Sequence, residues 1–254
     1  MPRYSVCFDA LFHNQPVAEV LPAIRDCGYD TVEFWTWWDK DLPDLRRLCK
    51  ELKLSVAAFC VDFRNNPGDP AQRTAYLEGL RRSIEAAKDL ECSMLIAQAG
   101  GAMEQVPFHT HDASLAITLE AAVPILEDSG MTLVIEPLNT KVNHPGYHMS
   151  TSEHAFSMLR AIGSERIKVL FDLYHQQITE GNLLANVQEN LPLIGHFHIA
   201  GVPGRGIPTE GELNYPYMIQ TIENYGYDGF FGLEYMPKGD ALSSLKILRQ
   251  AFPG

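Results

Sequence analysis

Nothing in the 254 residues reaches the roughly 18 consecutive apolar positions of a membrane span. The start, Met1-Pro2-Arg3-Tyr4-Ser5, lacks the apolar stretch of a secretory signal. The default expectation is a soluble, cytoplasmic protein with no membrane partner. Cysteine is scarce. Cys7, Cys27, Cys49, Cys60 and Cys92 make an odd number, with no Cys-x-x-Cys pair and mostly apolar neighbours. They read as reduced, buried small hydrophobes. Basic side chains number 20 against 32 acidic ones, for a formal net charge of −12. Nucleic-acid binding usually shows a basic stripe, so no nucleic-acid partner is expected. No GxGxxG follows a strand and no GxxxxGK[ST] occurs, which counts against nucleotide-binding folds. No Ser/Gly/Pro-rich linker or low-complexity run divides residues 1–254, which read as a single domain.

What is present is a periodic alternation. Hydrophobic residues make up 46% of the chain, enough for a large core. Short apolar runs fall at 4–8, 31–34, 55–60, 94–97, 133–136, 167–172, 194–199 and 230–234. Several are continuous rather than alternating, as expected of parallel strands covered on both faces. Between them lie helical patterns at 17–27, 43–52, 71–90, 113–129, 152–162, 183–190, 215–225 and 241–251. Asp9 and His13 read as loop after the first strand, and 137–151 as a long loop after the fifth. Eight strand–helix units in this length predict an α/β fold, a single (β/α)8 TIM barrel.

Four of the strands end at a residue that can ligate a metal: Glu136, Asp172, His198 and Glu234, spaced 36, 26 and 36 residues apart. An acidic residue at one strand end can simply cap the next helix. Four ligand types in four consecutive units are hard to obtain that way. In a (β/α)8 barrel the strand ends converge on the top face, where sites are built. Three oxygen donors and one imidazole suit Mn²⁺, Mg²⁺ or Co²⁺ better than a structural zinc. Glu136 and Glu234, on separated strands, can face each other across the mouth. One can take a proton from a carbon while the other returns one, with a cation stabilising the enediolate between. That chemistry converts an aldose to a ketose or inverts a carbinol beside a carbonyl.

The motifs Thr31-Val32-Glu33-Phe34, Val134-Ile135-Glu136-Pro137-Leu138-Asn139, Phe171-Asp172-Leu173-Tyr174-His175, Gly195-His196-Phe197-His198-Ile199-Ala200, Val202-Pro203-Gly204-Arg205, Gly211-Glu212-Leu213-Asn214-Tyr215 and Gly232-Leu233-Glu234-Tyr235 cover nearly the whole chain. In them the sequence resembles the xylose isomerase-like TIM barrel family, and within it the hydroxypyruvate isomerase group. The resemblance implies a divalent metal on Glu136, Asp172, His198 and Glu234, with Glu136 and Glu234 as the acid/base pair. It implies that His175 and Arg205 contact substrate oxygens. It also implies a small hydroxycarbonyl or sugar substrate, and self-association into a homo-oligomer is an expectation from the same source. His198 departs from the glutamine typical of hydroxypyruvate isomerases and matches ketose 3-epimerase relatives. Glu136-Pro137-Leu138-Asn139 leans the same way, whereas the loop 202–215 leans toward hydroxypyruvate isomerase. The leading expectation is interconversion of hydroxypyruvate and tartronate semialdehyde or a related 2-oxo acid. The alternative is a ketose 3-epimerase.

Other residues keep two readings at this level. Glu33 can contact substrate or bond a neighbouring loop. His196 shares the side of its strand with His198 and can support it or serve as a bonded core histidine. An arginine at 205 can bind a carboxylate bidentately or sit solvated. Trp35, Trp37 and Trp38 can wall a sugar pocket, cover a subunit contact or pack in the core. An endonuclease IV-like hydrolase would need more ligands and a basic groove. A non-catalytic binding barrel should show a broken acid/base pair, and both glutamates are intact.

Overall fold

A computed structural model of the chain describes residues 1–252; the last two residues of the expected 1–254 domain lie outside the described residues. Eight parallel strands close into a barrel in sequence order: β1 Arg3–Cys7, β2 Thr31–Phe34, β3 Ser55–Cys60, β4 Met94–Gln98, β5 Thr132–Glu136, β6 Ile167–Asp172, β7 Ile194–Ile199 and β8 Phe230–Leu233, with β8 pairing back onto β1. The helices are α1 Phe8–Leu11, α2 Val17–Asp26, α3 Leu42–Leu52, α4 Arg73–Asp89 and α5 Phe108–Ser129. They continue with α6 Ser152–Ile162, α7 Leu173–Thr179, α8 Leu183–Asn190, α9 Tyr215–Asn224 and α10 Ala241–Ala251. The expected (β/α)8 barrel is the observed fold. No helix among the described residues is long and apolar enough to cross a membrane.

Side chains alternate between the two faces of each strand. Outward residues such as Leu133, Ile135, Val169, Phe171, Phe197, Phe231 and Leu233 build the main core between barrel and helices. Ala58, Cys60, Ile96, Val134 and Leu170 form a separate apolar cluster inside the barrel. The polar inward residues Ser5, Glu33, His196 and His198 belong to β1, β2 and β7. Below the mouth, the barrel interior is thus apolar on the β3–β6 side and hydrogen-bonded on the other. Gly232 makes this arrangement fit. A Cβ there would lie 2.3 Å from Glu33 Oε1 and 2.5 Å from His198 Cδ2, so only a glycine lets β8 pass the pair.

Several local features differ from the sequence reading, each for a local reason. The segment after β1 is not all loop: Phe8–Leu11 forms one helical turn that buries Phe8 and Leu11. α5 starts at Phe108, five residues before the expected position, with Pro107 preceding it as N-cap. That places His109 and His111 on a helix, and His111 is buried. Pro124 lies within α5. α7 follows β6 with no loop, because Asp172 Oδ1 accepts from the backbone N–H of Tyr174 at 2.7 Å and of His175 at 3.2 Å. Glu234 sits one residue beyond β8, its N–H donating to Ile199 at 3.3 Å.

Phe197 is fully buried between sheet and helices. It stacks on Phe231 at 5.4 Å between ring centroids and meets Tyr227 edge-on at 4.7 Å. Phe197→Ala is expected to destabilise the fold by about 3–5 kcal/mol. Denaturant unfolding followed by circular dichroism measures this, and a loss below about 1 kcal/mol would contradict the packing described.

Candidate active site and metal centre

Parallel pairing sets the site. Asp172 lies opposite His198 in the β6–β7 register, and His198 lies opposite Gly232 in β7–β8, two residues before Glu234. Glu136 ends β5. One ligand-type atom from each of Glu136, Asp172, His198 and Glu234 lies within 4.8 Å of the others, and all four residues are buried. Glu136 Oε1, Asp172 Oδ2 and His198 Nδ1 have no hydrogen-bond partner among the described residues. His198 Nδ1 nevertheless stands 3.6 Å from Glu136 Oε1 and 3.2 Å from Glu234 Oε2. Buried polar atoms are normally satisfied, so orphans converging on one point indicate a group that takes them all. Three carboxylates and an imidazole fit a divalent cation.

The other half of each side chain is tied down. Asp172 spends Oδ1 on α7 and leaves Oδ2 free. The Trp35 indole N–H donates to Glu234 Oε1 at 2.6 Å, and the Arg205 guanidinium donates to Glu234 Oε2. His198 Nε2 points to Glu33 Oε1 at 3.1 Å. A carboxylate behind a ligating imidazole fixes its ring and raises its basicity. Glu33 itself accepts from Ser5 Oγ at 2.9 Å and bonds His196 Nε2 at 2.8 Å. Glu33 therefore lies beneath the mouth, engaged by Ser5, His196 and His198, and is absent from the residues lining the cavity. The structure does not bring it to where the substrate contact expected from the sequence would occur, because its short strand position faces the interior one layer down. His196 joins it there.

His175 is fully buried. Its Nδ1 accepts from the backbone N–H of Asn139 at 3.2 Å and lies 2.6 Å from the Asn139 amide nitrogen. That fixes the proton on Nε2, which has no partner among the described residues and lies 3.5 Å from Asp172 Oδ2. Burial pushes the imidazole down to about 3, so it is neutral. Asn139 thus decides which nitrogen His175 presents, a role visible in sequence only as part of the Glu136-Pro137-Leu138-Asn139 run.

A cavity of about 360 Å³ opens above the tetrad. Glu136, His198, Glu234 and Arg205 line it, together with Trp35 and Tyr147. Arg205 has a left-handed backbone (φ 55°) after Gly204 (φ 91°), and its carbonyl accepts from Met236 N–H at 2.7 Å. The turn aims the guanidinium inward, with Nε unpartnered among the described residues. The three tryptophans part company. Trp35 walls the cavity, Trp37 anchors to Ser83 Oγ at 3.0 Å, and Trp38 meets Phe63 edge-on at 5.0 Å. Trp35 is two residues after Glu33, hence on the same side of its strand, and that spacing was the available signal.

Burial and neighbours divide the charges. Burial pushes Glu136 up, and the Glu234 charge adds to it. Burial acts on Glu234 too, but Arg205 and His198 outweigh it and hold the carboxyl well below its usual range. Asp172 is pushed up to about 6 by burial, against the pull of Arg205 and His198. Burial also opposes ionisation of Glu33, yet His198 and His196 bring it down to about 2. His198 is raised well above 6.5, because Glu33 and Glu234 overcome its desolvation.

Residues 21–251 match the family described as xylose isomerase-like TIM barrel. A Homo sapiens protein named putative hydroxypyruvate isomerase is 34% identical over 97% of this chain and 94% of its own length. A Cupriavidus necator protein named 2-oxo-tetronate isomerase is 28% identical over 98% of each chain. The solved structure of a Brucella melitensis protein titled AP endonuclease, family 2, superposes with a TM-score of 0.93 at 29% identity, covering 98% of this chain and 99% of that one.

The raised Asp172 value has a sign. Its stabilisation in the cation-free protein is present below the unfolded value of about 3.9 and is lost as pH rises through about 6. Asp172→Asn keeps the cap on α7 but removes this titration. In chelator-treated protein, the melting temperature of Asp172→Asn relative to the parent should therefore climb between about pH 4 and pH 6. A constant difference across that window would contradict the burial assigned to Asp172.

Proposed function

The chain belongs to the xylose isomerase-like TIM barrel family and is an isomerase of a small substrate, and from that premise we propose that Glu136 and Glu234 shuttle a proton across a hydroxycarbonyl compound held in the mouth. The observation that carries the proposal is the convergence of two buried glutamates with orphaned Asp172 and His198 atoms at the floor of one cavity. Glu136, Asp172, His198 and Glu234 would hold a divalent ion such as Mn²⁺, Mg²⁺ or Co²⁺. Bound there, such an ion supplies positive charge that favours deprotonation of the carbon beside a carbonyl.

The side chains do the rest. One glutamate removes the proton from the carbon bearing the hydroxyl, the other delivers a proton to the former carbonyl carbon, and the pair returns to its starting protonation by proton exchange with solvent. The hydroxyl hydrogen passes to the former carbonyl oxygen, so the substrate is rearranged with no external oxidant. Glu234, held anionic by Arg205 and the Trp35 N–H, is ready to accept a proton. His175, expected to contact substrate, is fully buried and absent from the cavity lining; its neutral ring instead turns Nε2–H toward Asp172 Oδ2 at 3.5 Å, with Asn139 locking the tautomer. Glu33 keeps His198 oriented.

Arg205 favours a carboxylate substrate. Its Nε is unpartnered among the described residues, and a guanidinium edge matches a carboxylate bidentately. Among the described residues, Arg205 is the only lysine or arginine that lines the cavity. Hydroxypyruvate, interconverted with tartronate semialdehyde, or a related 2-oxo acid fits this reading and the names of the relatives. A free-ketose 3-epimerase would use the same two glutamates without needing the guanidinium. The net charge of −12 and a mouth of about 360 Å³ support a small substrate over a nucleic acid.

Glu136→Gln and Glu234→Gln should each lower turnover by roughly 10²–10⁴-fold while leaving the fold intact. Deuterium exchange at the carbon beside the carbonyl, tested with hydroxypyruvate, 2-oxotetronates and free ketoses, gives the readout. Full activity in either variant sinks the two-carboxylate mechanism. Arg205→Lys should raise KM for 2-oxo acids more than for neutral ketoses, and an equal effect on both would remove the carboxylate assignment.

A further inference from the structure

A second group of ligand-type side chains lies outside the mouth. Asp112 on α5, His148 in the β5–α6 loop and His154 on α6 bring one ligand atom each within 4.8 Å of one another. His148 Nε2 is 3.2 Å from Asp112 Oδ1, and His154 Nε2 is 2.5 Å from the same oxygen. Two donors on a tetrahedral ion with 2.0–2.1 Å bonds sit about 3.3 Å apart, so small adjustments seat one ion among the three atoms. Residues 36 and 42 positions from Asp112 are gathered onto one carboxylate oxygen, from three different elements.

The surroundings suit a cation taken up from solvent. The His148 side chain is buried to 1% exposure, whereas His154 and Asp112 retain 18% and 32%, leaving one open side. The His148 ring is sandwiched between His111, at 3.9 Å, and Phe108, at 4.5 Å. Phe108 also lies 5.3 Å from His154 and, itself exposed, covers the group. Two imidazoles and one carboxylate select a borderline transition ion over Mg²⁺ or Ca²⁺ and leave a coordination position for water.

From this geometry we propose that Asp112, His148 and His154 form a second cation site, for a divalent metal of the Zn²⁺ class, which clamps the β5–α6 loop to α5. The loop lines the cavity through Leu138, His144 and Tyr147. Tyr147, next to His148, lines the mouth, donates its O–H to the Glu136 carbonyl at 3.0 Å and accepts from Ala99 N–H. His148 N–H donates to Gly100 at 3.0 Å, and Leu138 N–H to Met149 at 3.0 Å. An ion at His148 therefore fixes the segment holding Tyr147 and Leu138, both cavity-lining residues, without touching the reacting atoms.

The test is zinc content. Chelator-stripped protein is reloaded with Zn²⁺, desalted and measured by elemental analysis. Parent protein should retain one equivalent more than His154→Gln, and one more than Asp112→Asn, with melting checked in the absence of metal to show that each variant folds. Glu234→Gln should lose the mouth ion and keep the outer one. Loaded with Co²⁺, Glu234→Gln should show d–d absorption that disappears on adding His154→Gln. Hydrogen exchange at residues 144–149 should slow with Zn²⁺ in the parent but not in His154→Gln. Equal Zn²⁺ content in parent, His154→Gln and Asp112→Asn overturns the site. Zn²⁺ loss without a change in exchange at 144–149 overturns the clamp. Failure of the isomerase reading leaves these measurements unaffected, since that reading is tested at Glu136 and Glu234.

Discussion

Four carboxylates, Glu33, Glu136, Asp172 and Glu234, are buried within two layers of one barrel mouth. Buried like charges repel strongly, and desolvation adds to the cost. The structure around them is organised to meet this constraint. Arg205 and the Trp35 N–H meet Glu234, and the N-terminus of α7 meets one oxygen of Asp172. His196 and Ser5 meet Glu33. Glu136 Oε1 and Asp172 Oδ2 are left over, and with His198 Nδ1 they define the place where a further positive charge belongs. The glycine at 232 gives this arrangement its room.

The same constraint explains why the loops matter. Arg205 reaches Glu234 only because the turn at 204–205 adopts positive φ and its carbonyl is pinned by Met236. Tyr147 reaches the Glu136 carbonyl only because the β5–α6 loop folds back over β4, where His148 bonds Gly100. A rigid barrel supplies the four strand ends, and two tethered loops supply the walls. The Asp112–His148–His154 group sits on one of these tethers, which is where binding energy can be turned into order without altering the reacting groups.

Much of this was legible in the chain. Apolar runs stopping at Glu136, Asp172, His198 and Glu234 carry both the barrel and the convergence of these four side chains, because parallel strands in a closed barrel must end on the same face. The side-chain alternation also foretold that His196 would share the face of His198. Less legible was α7, which is missing from the helical patterns read in the chain, since its N-cap Asp172 was read as a strand-end ligand rather than as a cap. The start of α5 was missed for a related reason, as Gln105-Val106-Pro107 and two histidines look like loop until their burial is known. Glu33 kept two readings, substrate contact or structural bond, because sequence gives the strand but not the depth within it.

The sequence alone determined the fold, the residue types and the spacing that puts Glu136, Asp172, His198 and Glu234 at strand ends. Periodicity encodes those things locally, and each strand carries its own part. Only the tertiary structure decided who touches whom. It made Glu33 a support for His198, turned Trp35 toward Glu234 and fixed the proton of His175 through Asn139. It also gathered Asp112, His148 and His154 from three elements. These outcomes depend on barrel closure and on loop paths, which join residues up to 199 positions apart and leave no periodic trace in the chain.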